Sequence, residues 1–161
     1  MSVYTTIDSP VGELLLVGES EGASTVLTAV VMSGQKHFAV RDGWTEDAVA
    51  FTDHIAQLRG YFAGEITTFD IDTAARGSEF QQRVWQALDE IPYGTTVTYG
   101  QIAARIGAPR AAVRAVGAAI GLNPLLIIRP CHRVIGANGS LTGYAGGLPR
   151  KQQLLELEHA A

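Results

Sequence analysis

Cys131 is the only cysteine in the 161-residue chain, and it stands in Pro-Cys-His-Arg-Val at 130–134. A lone thiol beside a histidine either acts as a nucleophile or fills a core as a small hydrophobe. As a nucleophile it must be activated, because the thiolate is the reacting form and a free thiol is only a few per cent ionised near neutral pH. His132 is the neighbouring base. Adjacent side chains of an extended chain point to opposite faces, so a bridging water or a sharp turn has to relay the proton. Glu158 supplies a third member. In a helix opened by Pro149, Leu154, Leu155 and Glu158 fall at i, i+1 and i+4, which puts a carboxylate on the apolar face. A carboxylate there wants a partner, and an imidazole N–H is a fitting one. The alternative for Glu158 is a solvated residue at a helix end.

Two further patterns flank the cysteine. Thr98 and Gln101 have capping-box spacing and open a short helix, with Ile102 and Ile106 inward and Gly107 as its stop. Pro109 then begins an alanine-rich helix over 110–121. A short helix, a glycine turn and a second helix with arginines is the helix-turn-helix pattern of DNA binders. Arg110 and Arg114 lie i,i+4 apart and project from one face, while Ala111, Ala112, Ala115, Gly117, Ala118 and Ala119 allow close approach of another surface. The same residues also suit a tightly packed core helix carrying two solvated arginines. After the cysteine, residues 136–148 hold five glycines in thirteen positions, a loop able to present backbone amides and carbonyls to a flat ligand. No P-loop lysine spacing accompanies it.

The elements that must hold these residues divide at a linker, 72–77, into a first domain over 1–76 and a second over 77–161. In the first, 3–6, 13–17 and 25–32 read as strands separated by Asp-Ser-Pro-Val-Gly and Gly-Glu-Ser-Glu-Gly turns. Helical spacing over 46–62 places Val49, Ile55, Leu58 and Phe62 inward, and 67–71 reads as a closing strand. The second domain opens on a capping box, Ser78 with Gln81, and a helix whose Phe80, Val84, Trp85 and Leu88 share a face. His37 and His54 have no cysteine nearby, so no zinc site is expected. The net charge of −4 splits into −7 over 1–76 and +3 over 77–161, which directs any polyanion to the second domain. No membrane span and no signal-peptide layout is read, and one cysteine suits a reducing, cytoplasmic setting.

Taken together, Phe80–Trp85, Ile-Pro-Tyr-Gly-Thr-Thr-Val-Thr-Tyr-Gly at 91–100, Arg-Ala-Val-Gly at 114–117, Asn123-Pro124, Pro-Cys-His-Arg-Val-Ile at 130–135, Gly139–Gly147, Lys151 and Leu154-Leu155…Glu158 resemble the O6-alkylguanine-DNA alkyltransferases. The likeness is to the bacterial branch without metal. It covers essentially all of 77–161, and the first half more loosely. It implies an α/β ribonuclease-H-like first domain and a mainly α, winged-helix-like second domain with a helix-turn-helix. It also implies irreversible, stoichiometric transfer of the alkyl group from guanine O6 in double-stranded DNA to Cys131, with no cofactor and no metal. In that reading His132 polarises Cys131 through a water, Glu158 orients His132, and Asn123 ties the active-site turn to the recognition helix. Tyr99 serves guanine N3, and Arg114 fills the space of the flipped nucleotide. Arg110, Tyr99, Ala115 and Gly117 meet the minor groove. Tyr144, Ala145 and Gly146 line the base pocket, and the Val134 carbonyl receives the exocyclic amine. A monomer is expected.

The chain departs from the family pattern at Arg129, where a small aliphatic residue is usual, and in a turn before Arg114 that is one residue longer. A buried, unpaired guanidinium is too costly, so Arg129 should reach solvent or pair with a carboxylate, for which the acidic first domain is the preferred source. Two rivals stand beside the repair reading. A non-reacting, lesion-binding winged-helix protein explains the arginine helix but not Pro-Cys-His-Arg with Glu158. A Cys-His hydrolase explains the triad but has no use for Tyr99 or the small-residue helix.

Overall fold

Leu14, Leu15, Leu16 and Val17 follow one another without polar alternation, a pattern for a strand covered on both faces. The computed structural model of the protein describes residues 1–159, and there these residues begin β2 (Leu14–Glu21). β2 runs antiparallel to both β1 (Ser2–Ile7) and β3 (Ser24–Met32). β4 (Thr45–Glu46) joins β1 in parallel, giving the order β3-β2-β1-β4. Leu15, Val17 and Val31 pack with Tyr4, Ala29, Phe38 and Trp44. Leu14 opposite Met32 and Leu16 opposite Val30 are buried on the other face. The register shifts between Val17 and Gly18, and there a Cβ on Gly18 would lie 2.6 Å from the Val26 carbonyl. Only glycine fits that bulge.

Two expectations for this unit are corrected. The helical segment 46–62 is broken: Glu46 ends β4, Asp47 caps a 3-10 turn over Ala48–Phe51, and α1 spans Thr52–Phe62. Val49 is consequently 81% exposed, while Leu58 is buried. The closing strand at 67–71 does not form. The side-chain amide of Gln57 bonds both backbone groups of Asp70, which therefore needs no sheet partner, and the Phe69 ring packs against Tyr61 at a 38° tilt. Just beyond the segment, Thr73 makes an isolated parallel bridge to Leu27.

The first unit runs Met1–Ala75 and the second begins at Arg76. In the second, both capping boxes form with reciprocal side-chain to backbone bonds: Ser78 and Gln81 open α2 (Glu79–Asp89), and Thr98 and Gln101 open α3 (Tyr99–Arg105). The alanine-rich helix splits: Arg110–Ala112 makes a 3-10 turn, and α4 spans Val113–Gly121. Regular helix therefore begins one residue before Arg114, with Arg110 in the turn ahead of it. Helices α2, α3 and α4 pack on one another, tied by the Trp85 indole N–H donating to the Ala119 carbonyl at 2.8 Å. α5 (Leu148–Leu157) carries Pro149 in its first turn. β5 (Val97–Thr98) and β6 (Val134–Ile135) form a two-residue parallel ladder. It joins the start of α3 to the end of the cysteine turn. Among the described residues no helix is long and apolar enough to cross a membrane.

Candidate active site

Between α4 and Cys131 the chain is irregular yet buried, with Leu125, Leu126 and Ile127 each 1% exposed. Such a segment needs partners for its backbone, and Asn123 provides them. Its Oδ1 accepts from the Leu125 N–H at 3.0 Å, and its Nδ2 lies 3.4 Å from the Leu125 carbonyl and 3.3 Å from that of Arg129. The same Nδ2 is 3.3 Å from Cys131 Sγ. Ile127 is held at φ 71°, a left-handed conformation costly for a β-branched residue and sustained by its buried surroundings. Pro130, at φ −81° and ψ 57°, is the centre of an inverse γ-turn closed by the Cys131 N–H on the Arg129 carbonyl at 2.8 Å. Cys131–Arg133 then makes a single 3-10 turn, closed by the Arg133 N–H on the Pro130 carbonyl. Cysteine and histidine thus share a sharp turn rather than an extended strand.

His132 is fully buried, with Nε2 2.7 Å from Glu158 Oε2. A carboxylate only accepts, so the ring proton sits on Nε2 and the free lone pair on Nδ1. Nδ1 is buried and makes no hydrogen bond to a described protein group. Glu158 also takes a bidentate contact from Arg133, Nε to Oε1 at 2.7 Å and Nη2 to Oε2 at 3.0 Å. Arg133 Nη1 donates to the Ile91 carbonyl at 2.6 Å, and its guanidinium lies over the Tyr93 ring. Gly94, at φ 78°, would place a Cβ 3.3 Å from the Glu158 carbonyl. The Ile-Pro-Tyr-Gly stretch at 91–94 is therefore the seat of the Glu158–Arg133 pair.

Burial pushes the Cys131 thiol up to about 11, against the Asn123 hydrogen bond and the charges of Lys151 and Arg129. Burial likewise holds His132 below the usual histidine range, against the pull of Glu158. At rest the site pairs a neutral thiol with a neutral imidazole. A thiol in that state has to give up its proton before it can act as a nucleophile.

Lys151 is the residue that spacing alone left without a role. It is 1% exposed, and Nζ donates to the carbonyls of Val134 at 2.5 Å, Thr142 at 2.8 Å and Gly143 at 3.2 Å. Burial pulls it down to about 8. The signal for it was present: Lys151, Leu154, Leu155 and Glu158 follow i, i+3, i+4, i+7 on the buried face of α5. Lys151 ties the glycine-rich loop to β6. Thr142 in turn meets Tyr99, its Oγ1 3.1 Å from the phenol oxygen and its carbonyl 3.4 Å away. Tyr99, the first residue of α3, is thus linked through Thr142 and Lys151 to Val134.

The comparisons with known proteins bear on this arrangement. Residues 79–160 match the family described as 6-O-methylguanine DNA methyltransferase, DNA binding domain, and 2–75 match its ribonuclease-like domain. The chain belongs to the 6-O-methylguanine DNA methyltransferase family. It is 58% identical over 158 residues to the methylated-DNA–protein-cysteine methyltransferase of Mycolicibacterium paratuberculosis, covering 98% of this chain and 93% of that one. The same-named protein of Methanosarcina acetivorans is 53% identical over 96% of this chain and 97% of its own. Among solved structures, Mycobacterium tuberculosis OGT in complex with DNA superposes with a TM-score of 0.88 at 55% identity, over 98% of this chain and 93% of that one.

In this methyltransferase the face of α4 turned to solvent carries Arg114, Ala115, Ala118 and Gly121, with Arg110 and Ala111 exposed in the turn before it. Val116, Ala119 and Ile120 are buried. Gly117 lies against Tyr99: a Cβ there would sit 3.8 Å from the ring, ordinary contact, so that packing does not demand glycine. Tyr144 and Gly146 are half-buried in the 136–147 loop and Ala145 is exposed. The expected partner of Arg129 is corrected. Its Nε pairs with Asp89 Oδ1 at 3.2 Å, a carboxylate of its own unit at the end of α2, rather than one from the first unit.

Proposed function

We propose that this chain repairs O6-alkylguanine in double-stranded DNA by moving the alkyl group onto Cys131, once per molecule. The observation that carries the reading is the histidine: its Nε2 is committed to Glu158, which leaves Nδ1 as the acceptor on the turn that bears the only thiol. The thiol proton passes through a water to His132 Nδ1, and Glu158 stabilises the imidazolium. The S–C bond forms as the C–O6 bond breaks. The departing guanine takes a proton at N3 from the Tyr99 phenol, and the phenolate regains one from the imidazolium through solvent, so the proton that leaves the thiol is the one the guanine gains. Asn123 ties the cysteine turn to the end of α4. The Val134 carbonyl and the Tyr144–Gly146 backbone receive the extruded base.

A base inside the duplex is out of reach of any side chain, so it must flip. A helix face of alanine and glycine suits the minor groove, with Arg114 as the long side chain that replaces the base and Arg110, Ala115 and Gly117 alongside. The protein acts as a monomer without cofactor or metal, in a cytoplasmic setting that keeps its cysteine reduced.

Incubation with an excess of duplex oligonucleotide bearing O6-methylguanine tests this by intact mass. One added methyl, mapped to Cys131, is expected, with no second event. No added mass would make the chain a lesion binder, and repeated turnover a hydrolase. Arg114→Ala should lose repair of the duplex while still reacting with free O6-benzylguanine, which needs no flipping.

A further inference from the structure

Arg129 is 8% exposed and sits beside the cysteine turn without touching the Glu158 network. Its guanidinium is fixed from three sides. Nε pairs with Asp89, Cζ lies over the Trp85 ring 5.3 Å from its centroid, and Nη1 is 3.4 Å from Asn123 Oδ1. Trp85 is itself immobilised by its bond to Ala119. The backbone carbonyl of Arg129 meanwhile accepts from the other end of the same amide, Asn123 Nδ2, and from the Cys131 N–H. One residue therefore holds both ends of the amide that donates to Cys131 Sγ.

We propose that Arg129 is a positioning residue for the alkyl acceptor: it clamps the Asn123 amide so that Nδ2 stays on Cys131 Sγ through the reaction. The inference rests on Cys131 being the acceptor. A primary amide turned end for end would present Oδ1 to the sulfur, an acceptor facing a developing thiolate. The cation at Oδ1 disfavours that arrangement, adding to the Leu125 N–H on the same oxygen. The guanidinium is forked, so it bonds Asp89 and Asn123 at once, which an ammonium in the same place does less well. Lys151 is the other cation acting on the thiol, from α5, and it reaches the loop carbonyls rather than Asn123.

The test exploits the single cysteine: with 13C-labelled cysteine, the Cβ chemical shift follows the ionisation of Cys131 alone, clear of the five tyrosines. Arg129→Met keeps an apolar stem over Trp85 and removes the donors. It should raise the thiol titration by about one pH unit and slow reaction with O6-benzylguanine about tenfold at pH 7. In an Asn123→Ala background the same change should add nothing, because the clamp has lost its object. An additive effect there means Arg129 acts through space and overturns the clamp. Asp89→Ala gives an opposite-sign check if Arg129→Met folds poorly. Freeing the guanidinium should raise the thiol titration if positioning matters, whereas removing a negative charge should lower it if only charge matters. An unchanged titration in both variants, with only lower thermal stability, makes Arg129 purely structural. Intact mass after O6-benzylguanine checks separately that Cys131 is the acceptor, so failure of that reading is distinguishable from failure of the clamp.

Discussion

In the first unit the buried side chains are aliphatic and aromatic apart from Thr5 and His54, and the ion pair Met1–Glu19 lies at the surface. In the second, Asn123, Arg129, His132, Arg133, Lys151 and Glu158 are all buried. The contrast separates two uses of a core. Apolar burial stabilises on its own, whereas each buried ion costs several kcal/mol of desolvation that its partner only partly returns. A unit that keeps five buried charged or titratable groups around one thiol is organised for chemistry at some expense of stability. The first unit has no such cluster among its described residues.

Glu158→Ala should show the contrast most strongly. It leaves Arg133 and His132 without their carboxylate, so unfolding should register a loss of about 3–5 kcal/mol. Alkyl transfer should fall at least about 100-fold, since His132 loses its orientation and its counter-charge. A variant that keeps the rate while losing stability would return the network to a structural role.

Leu16→Ala, in the dry core, should cost about 2–4 kcal/mol through the cavity it leaves. The transfer rate per folded molecule should stay as in the wild type. A slowed single-turnover rate would contradict the division of labour between the units.

A pH titration of stability isolates the thiol. Cys131 titrates ordinarily near 9.0 and is pushed up to about 11 in the fold. Its contribution is therefore full below 9.0 and lost as pH rises through about 11. Wild type should lose stability more steeply than Cys131→Ala between those values. Lys151, pulled down to about 8, changes with the opposite sign in both proteins and so largely drops out of the difference. Parallel curves would mean that the thiol is not held neutral by burial.

The smallest effect belongs to Glu19→Gln. The Met1–Glu19 pair spans 3.7 Å with both side chains largely exposed, so its removal should change stability by less than about 0.5 kcal/mol. A larger loss would show that ion pairs matter in the first unit as well.

What local rules govern was legible in the chain itself. Both capping boxes, the turn glycines, the apolar faces of α2 and α5 and the pairing of a lone cysteine with a histidine are set by contacts three or four residues apart, or by composition. Glu158 could be read as facing inward for the same reason. The helical spacing over 46–62 misled, because Val49 is apolar yet exposed and Asp47 starts a 3-10 turn. The strand over 67–71 misled because alternating apolar residues do not show that Asp70 takes its backbone partners from the Gln57 side chain instead of a neighbouring strand.

Only the tertiary structure decided who meets whom over long separations. Ile91 receives Arg133 forty-two residues away, Thr98 pairs with Ile135, and Arg129 chooses Asp89 forty residues back rather than an acid of the first unit. Such choices depend on the loop-closure entropy already met by helix packing and on which charges the packing leaves without water. Sequence alone marked the candidate reacting groups and the helices that flank them. The fold decided the protonation states and hydrogen bonds that let those groups react, because burial and partner geometry arise only when distant segments pack together.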